Sequence, residues 1–166
     1  MRRFLDKHIV LLTLIPVLAV MLMIFRFSSQ TGVESGALSD RITALVLSVV
    51  RPDYDALDAA GQALVFGRVS YVVRKSAHFS EFAALGFFLL GHFRALGTKA
   101  ALRRPALWSL AVGVLYAVSD ELHQGFVGGR SPALADGGID SAGVCCGILV
   151  MALLLALFRG RKKKNA

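Results

Sequence analysis

From Ile9 to Phe25 the chain carries no charged side chain, and its only hydroxyl there is Thr13. Bilayer hydrocarbon offers no hydrogen-bond partner, so such a stretch must satisfy its backbone internally, as an α-helix. At 1.5 Å per residue it covers about 25 Å, close to one crossing of the ~30 Å hydrocarbon core. The basic start (Arg2, Arg3, Lys7) looks like that of a secretory signal. The next residues, Arg26-Phe-Ser-Ser-Gln30, do not form a small-x-small cleavage site, so the helix is expected to be retained. Pro16 removes a backbone donor inside it, and neighbouring helices can tolerate the resulting kink. The whole chain agrees with a membrane class: 166 residues, 55% hydrophobic, mean hydropathy +0.62.

Three further apolar stretches come after the first, and together the four set the expected spans at about 9–26, 76–93, 105–122 and 139–158. The third is short and must borrow Ser119 to Gln124 to complete a crossing. The fourth contains Gly143-Val-Cys-Cys-Gly147, the small-xxx-small spacing that lets two helices approach closely. Its cysteines, Cys145 and Cys146, are adjacent within the apolar run, which suits packing rather than a disulfide or zinc site. Between spans one and two, Leu38, Ile42, Leu45, Val46 and Val49 recur at helical spacing, the pattern of a helix lying on a membrane surface. Pro52 breaks it, and Leu57 to Tyr71 resumes a helical pattern. The expected fold is an all-α integral membrane protein, a four-transmembrane-helix bundle in one domain over 1–166. An interfacial amphipathic helical loop joins spans one and two.

Charge orients the bundle. Both ends and the turn from Leu90 to Arg104 fall on one side, with twelve of the nineteen Lys and Arg residues and a single acid, Asp6. The other side holds the remaining seven bases and ten acids. The positive-inside rule then predicts cytoplasmic termini. The net charge of +8 is therefore a membrane signature. No basic face interleaved with aromatics points to nucleic acid.

This threading brings polar residues from four distant segments to one outer level. Span one delivers Ser28, Ser29 and Gln30. Span two delivers Arg74, Lys75, His78 and Glu81, which share a helix face. Span three delivers Asp120, Glu121, His123 and Gln124; span four starts outside with Arg130, Asp136 and Asp140 at its beginning. A carboxylate as deep as Glu81 is costly unless paired, either in a structural bridge or in a site. The candidate acid/base set is Glu81, Asp120, Glu121, His78 and His123, since imidazole titrates near neutral pH and carboxylates orient it. The candidate ligand-binding set is Arg74, Lys75, Gln124, Arg130, Ser28, Gln30 and Asp136. Arg130 after Gly128-Gly129 suits bidentate capture of phosphate or carboxylate, or alternatively snorkelling to headgroups. Asp136 and Asp140 also suit capping of the fourth helix. The histidines and carboxylates also suit a divalent ion. However, no segment shows a pattern such as His-Glu-x-x-His, so no metal ligand is assigned and no cofactor is identified.

Phe25-Arg-Phe-Ser-Ser-Gln30, Arg74-Lys-Ser-Ala-His-Phe-Ser-Glu-Phe-Ala-Ala-Leu-Gly86, Ser119-Asp-Glu-Leu-His-Gln124 with Gly129-Arg130, and Asp136 onward resemble the VanZ-like family of bacterial membrane proteins. Gly128-Gly129 stands where Pro-Gly is common in that family, and Asp140 where many relatives carry Asn. The resemblance implies a cell-envelope role, and the family is associated with reduced susceptibility to the glycopeptide teicoplanin. The expected partners are membrane lipids and a lipid-linked envelope precursor or glycopeptide. The leading expectation is an outer-face site for an anionic lipid-linked or peptidoglycan-related ligand, with or without chemistry. The alternative is a non-enzymatic scaffold whose polar network is structural.

Overall fold

The computed structural model describes residues 2–96, 104–130 and 134–164. Lys99 and Arg103 of the expected basic turn lie outside them. The described residues form α1 (Arg2–Ser28), α2 (Gly32–Val50), a 3-10 turn (Tyr54–Ala56), α3 (Ala59–Leu96), α4 (Pro105–Gln124) and α5 (Leu134–Lys164), with no strand among them. Three helices are long and apolar enough to cross a bilayer, by length and composition: α1 over His8–Ser28, α3 over Ala59–Leu96 and α5 over Ala135–Phe158.

Three expectations change. Leu57–Tyr71 and the span at 76–93 are not separate elements but one 38-residue helix, α3. Nothing between Val72 and Ala77 breaks a helix, so the Arg74-Lys75 pair marks a level along α3 and not an end. At about 57 Å, α3 is nearly twice as long as the hydrocarbon core is thick. The helix between α1 and α3 starts at Gly32, six residues before Leu38. A capping box sets that start: the Thr31 hydroxyl accepts from the Glu34 amide, and the Glu34 carboxylate accepts from the Thr31 amide. Finally, α5 begins at Leu134, not near Ile139, so Asp140 stands inside the helix and cannot cap it.

The expected apolar stripe of α2 is present and faces away from the protein. Leu38, Ile42, Leu45 and Val49 are exposed, while Ser39, Thr43 and Leu47 are buried on the side that packs against α3. An outward apolar stripe is what a helix in contact with lipid presents.

The α3–α5 pair is the most extensive helix contact, and glycines make it possible. A Cβ at Gly147 would overlap the Ala83 carbonyl, one at Gly143 the Phe79 carbonyl, and one at Gly86 the Val144 carbonyl. Lipid is as apolar as a leucine side chain, so close packing is what holds such helices together. Around this spine lies one apolar core. Val17 and Ile24 come from α1, Phe82, Leu85, Leu89 and Leu90 from α3, Ala117 from α4, and Val144 and Ile148 from α5. Gly113 on α4 leaves room for the Val144 side chain. The tight α3–α5 spine fixes the register between His78 and Asp140, which both belong to the site.

Candidate functional site

The C-terminal ends of α1 and α4, the N-terminal part of α5 and the middle of α3 meet at one end of the bundle. A helix C-terminus leaves its last carbonyls without partners inside the helix. Arg130 answers this. Its Nη2 donates to the Phe27 carbonyl (3.0 Å), its Nε to the Gln30 carbonyl (3.0 Å), and its Nη1 to Gln124 Oε1 (3.0 Å). A cation at a helix C-terminus also suits the helix dipole. The loop that delivers Arg130 needs glycine. Gly129 has φ +76°, and the Gly32 amide donates to the Gly128 carbonyl at 3.1 Å, so loop and helix start touch backbone to backbone. Burial pushes the Arg130 guanidinium down from the ordinary arginine value, with Arg74 acting in the same direction and Asp120, Glu121 and Glu81 acting against both. It remains cationic throughout the physiological range.

Behind Arg130 lies a buried polar chain. The Ser28 hydroxyl donates to Asp120 Oδ2 at 2.8 Å, and Gln124 Nε2 donates to the same oxygen at 2.8 Å. Ser28, Asp120 and Gln124 are all buried, so the α4 face that carries Asp120 and, one turn on, Gln124 turns inward. Tyr116 on that face donates to the Met21 carbonyl at 2.6 Å, a tie between α4 and α1 that sequence spacing alone did not reveal. His123 takes a different course. Its Nε2 lies 3.0 Å from the Ser29 hydroxyl, and its ring stacks on Phe25 at 4.8 Å.

The α3 face meets α5. Lys75 Nζ forms a salt bridge with Asp136 and lies 5.3 Å from the centroid of the Tyr71 ring. One turn further along, His78 Nδ1 faces Asp140 Oδ1 at 4.0 Å, too far for a hydrogen bond. His78 and His123 therefore find separate partners. Glu81 has electrostatic neighbours in Asp120 and Arg130. Arg74 is exposed beside this group.

Two concavities result. A basin of about 300 Å³ is lined by Arg74, Lys75, His78, Gln124, Arg130 and Asp136, with Gly32, Ser35 and Gly129 at its edge. A small cavity of about 10 Å³ lies between Lys75, His78, Glu121, Asp136, Ile139 and Asp140. Sequence reasoning named most of these residues. Asp140, expected at the outer level with capping of the fourth helix as its alternative role, lines the small cavity; its signal was a carboxylate four residues past Asp136 at the start of an apolar run.

The family pattern described as VanZ/LLP1 matches residues 13–156, which spans all the elements that build this site. The chain belongs to the VanZ/LLP1 family. The VanZ-family match runs from the middle of α1 through α5 and includes the Arg74–Gly86 and Ser119–Gln124 stretches. No curated protein and no solved structure matches the chain.

Proposed function

We propose that this VanZ-family chain is a single-domain, four-span protein of the bacterial cytoplasmic membrane with both termini inside. Its extracytoplasmic basin binds an anionic headgroup of a lipid-linked or peptidoglycan-related envelope component. α4 serves as the fourth span: its 20 residues reach about 30 Å, the thickness of the hydrocarbon core. On α3 the segment between Arg74 and Arg94 also measures about 30 Å, which supports Arg74 and Lys75 lying at the outer water level.

The observation that carries the reading is one basin lined by three cations from two distant segments, Arg74, Lys75 and Arg130. Lys75 is engaged by Asp136, and Arg130 by carbonyls and Gln124. These two set a positive field, and Arg74 is the cation left to close on a phosphate or carboxylate. Gln124 and His78 line the basin beside these cations, Ser28 and Asp120 hold Gln124 from behind, and the Gln30 carbonyl holds Arg130, while Glu81, Glu121 and His123 stand outside the lining. The family's association with teicoplanin susceptibility supports an envelope ligand.

The test is native mass spectrometry of the purified full chain with a polyprenyl phosphate, against a zwitterionic lipid of similar size. A charge-assisted hydrogen bond contributes about 1.5–3 kcal/mol, so Arg74→Gln should weaken phosphate-lipid binding roughly tenfold or more with thermal stability unchanged. Equal affinity of wild type and Arg74→Gln would defeat the reading.

A second reading has its own observation: all three bonds of Arg130 go to the protein's own helix ends. On that reading the polar network is a clasp and the chain a membrane scaffold. Loss of stability on changing Arg130, with no lipid preference in the wild type, would favour it.

A further inference from the structure

We infer that His78, Asp120 and Asp140 form a binding site for one divalent transition-metal ion, of zinc-like preference. The site shares His78 with the lining of the anion basin but needs no bound anion to form. Each residue offers one ligand atom, and the three atoms lie within 4.8 Å of one another although they come from α3, α4 and α5. Such a group of acids could be a mere coincidence of packing. The state of Asp140 argues otherwise. It is 1% exposed, and neither of its carboxylate oxygens has a hydrogen-bond partner among the described residues; the same holds for His78 Nδ1. A buried ionised carboxylate without a partner costs several kcal/mol, and more where lipid surrounds the protein.

A cation resolves this arrangement better than a rearranged hydrogen bond does. Nδ1 of His78 and Oδ1 of Asp140 face each other across 4.0 Å. Two ligand atoms on one tetrahedral zinc, with bonds of about 2.0–2.2 Å, stand roughly 3.3–3.5 Å apart, so an ion would draw this pair together by about half an ångström. Asp120 supplies the third ligand atom from α4, within 4.8 Å of the other two. The charges also balance: two carboxylates and a dication are neutral together, with imidazole as the uncharged third ligand. Neutrality is what a low-dielectric interior requires.

The surroundings suit a metal. Ser28 and Gln124 hold Asp120 Oδ2 by two bonds of 2.8 Å, and Arg130 holds Gln124, so this carboxylate is oriented by outer-shell bonds. The 10 Å³ cavity beside His78 and Asp140 has the volume of about one water, enough for a fourth, exchangeable ligand. One nitrogen and two oxygens without a thiolate suit zinc or manganese. Magnesium and calcium prefer all-oxygen sites.

The experiment uses the detergent-purified full chain, stripped with chelator and then titrated with Zn²⁺, Mn²⁺, Mg²⁺ and Ca²⁺. Metal content is read by elemental mass spectrometry and stability by thermal unfolding. The expected result is an equimolar amount of zinc that survives desalting, with a rise in melting temperature that chelator reverses. Asp140→Asn keeps the side-chain shape and should abolish stoichiometric zinc while circular dichroism stays helical. Co²⁺ substitution of the wild type reads the site without any variant and should produce visible bands of four-coordinate nitrogen–oxygen ligation. Wild type retaining no more zinc than Asp140→Asn, or Co²⁺ giving only the spectrum of the hydrated ion, overturns the proposal.

Discussion

Gly147→Ala adds a single methyl group at the tightest point between α3 and α5. An added Cβ would lie 2.7 Å from the Ala83 carbonyl carbon and 2.8 Å from the Phe87 amide nitrogen, and nearer still to the Ala83 carbonyl oxygen. Ordinary contacts begin near 3.4 Å. The obstructing atoms are backbone, so no side chain can swing away and the helices must part. Overpacking costs about 1–3 kcal/mol, and rigid backbone puts this site at the upper end. About 3 kcal/mol in a chain of this length corresponds to a melting temperature lower by roughly 6–12 °C. Gly67→Ala, on the same α3, is the matched control. Nothing lies within 4 Å of its added Cβ, so the gain in helix propensity should stabilise the chain by about 0.5–1 kcal/mol. The assay is thermal unfolding of both variants in one detergent, followed by circular dichroism. If Gly147→Ala melts no lower than Gly67→Ala, close α3–α5 contact is not what holds the bundle together.

Arg130→Lys keeps the charge but loses the planar fork that reaches Phe27, Gln30 and Gln124 together. It should cost about 2–3 kcal/mol in thermal unfolding, and an unchanged melting temperature would contradict the clasp. Ser28→Ala removes one of the two donors to the buried Asp120 oxygen and should destabilise by about 1–2 kcal/mol; Ser29→Ala, at an exposed position, serves as the control with little effect. Hydrogen bonds from the Thr31 amide and hydroxyl hold the Glu34 carboxyl below the ordinary glutamate value. A lowered folded pKa gives stability that is present above the unfolded pKa and is lost as pH falls through the folded one. Amide exchange at the start of α2 should therefore quicken on acidification in the wild type, whereas Glu34→Gln should show no such step.

Much of the site was legible in the sequence because a membrane constrains a chain so strongly. Once apolar runs must cross the bilayer, the ends of successive helices return to the same level, and Ser28, His78, Asp120 and Arg130 are predicted to be near neighbours in depth. Depth is one dimension. Rotation about each helix axis decides actual contact, and repeat spacing within a single helix cannot supply it. Asp120 and Gln124 turn inward to Ser28, whereas His123, on nearly the same face, reaches Ser29 and Phe25. The α2 stripe shows the same ambiguity: a 3.6-residue period identifies an apolar face but not whether protein or lipid covers it.

By itself, the sequence determined the helical class, the membrane-length apolar segments, the Gly143–Gly147 contact face and the family, because each of these is a local pattern or a composition. Only the tertiary structure decided that α3 runs unbroken through Arg74-Lys75, that Arg130 closes the end of α1, and that Asp140 faces His78 at ion-pair distance without a hydrogen bond. These depend on how far neighbouring helices are rotated and how closely glycine lets them approach. Such relations exist between segments, and no single segment carries them.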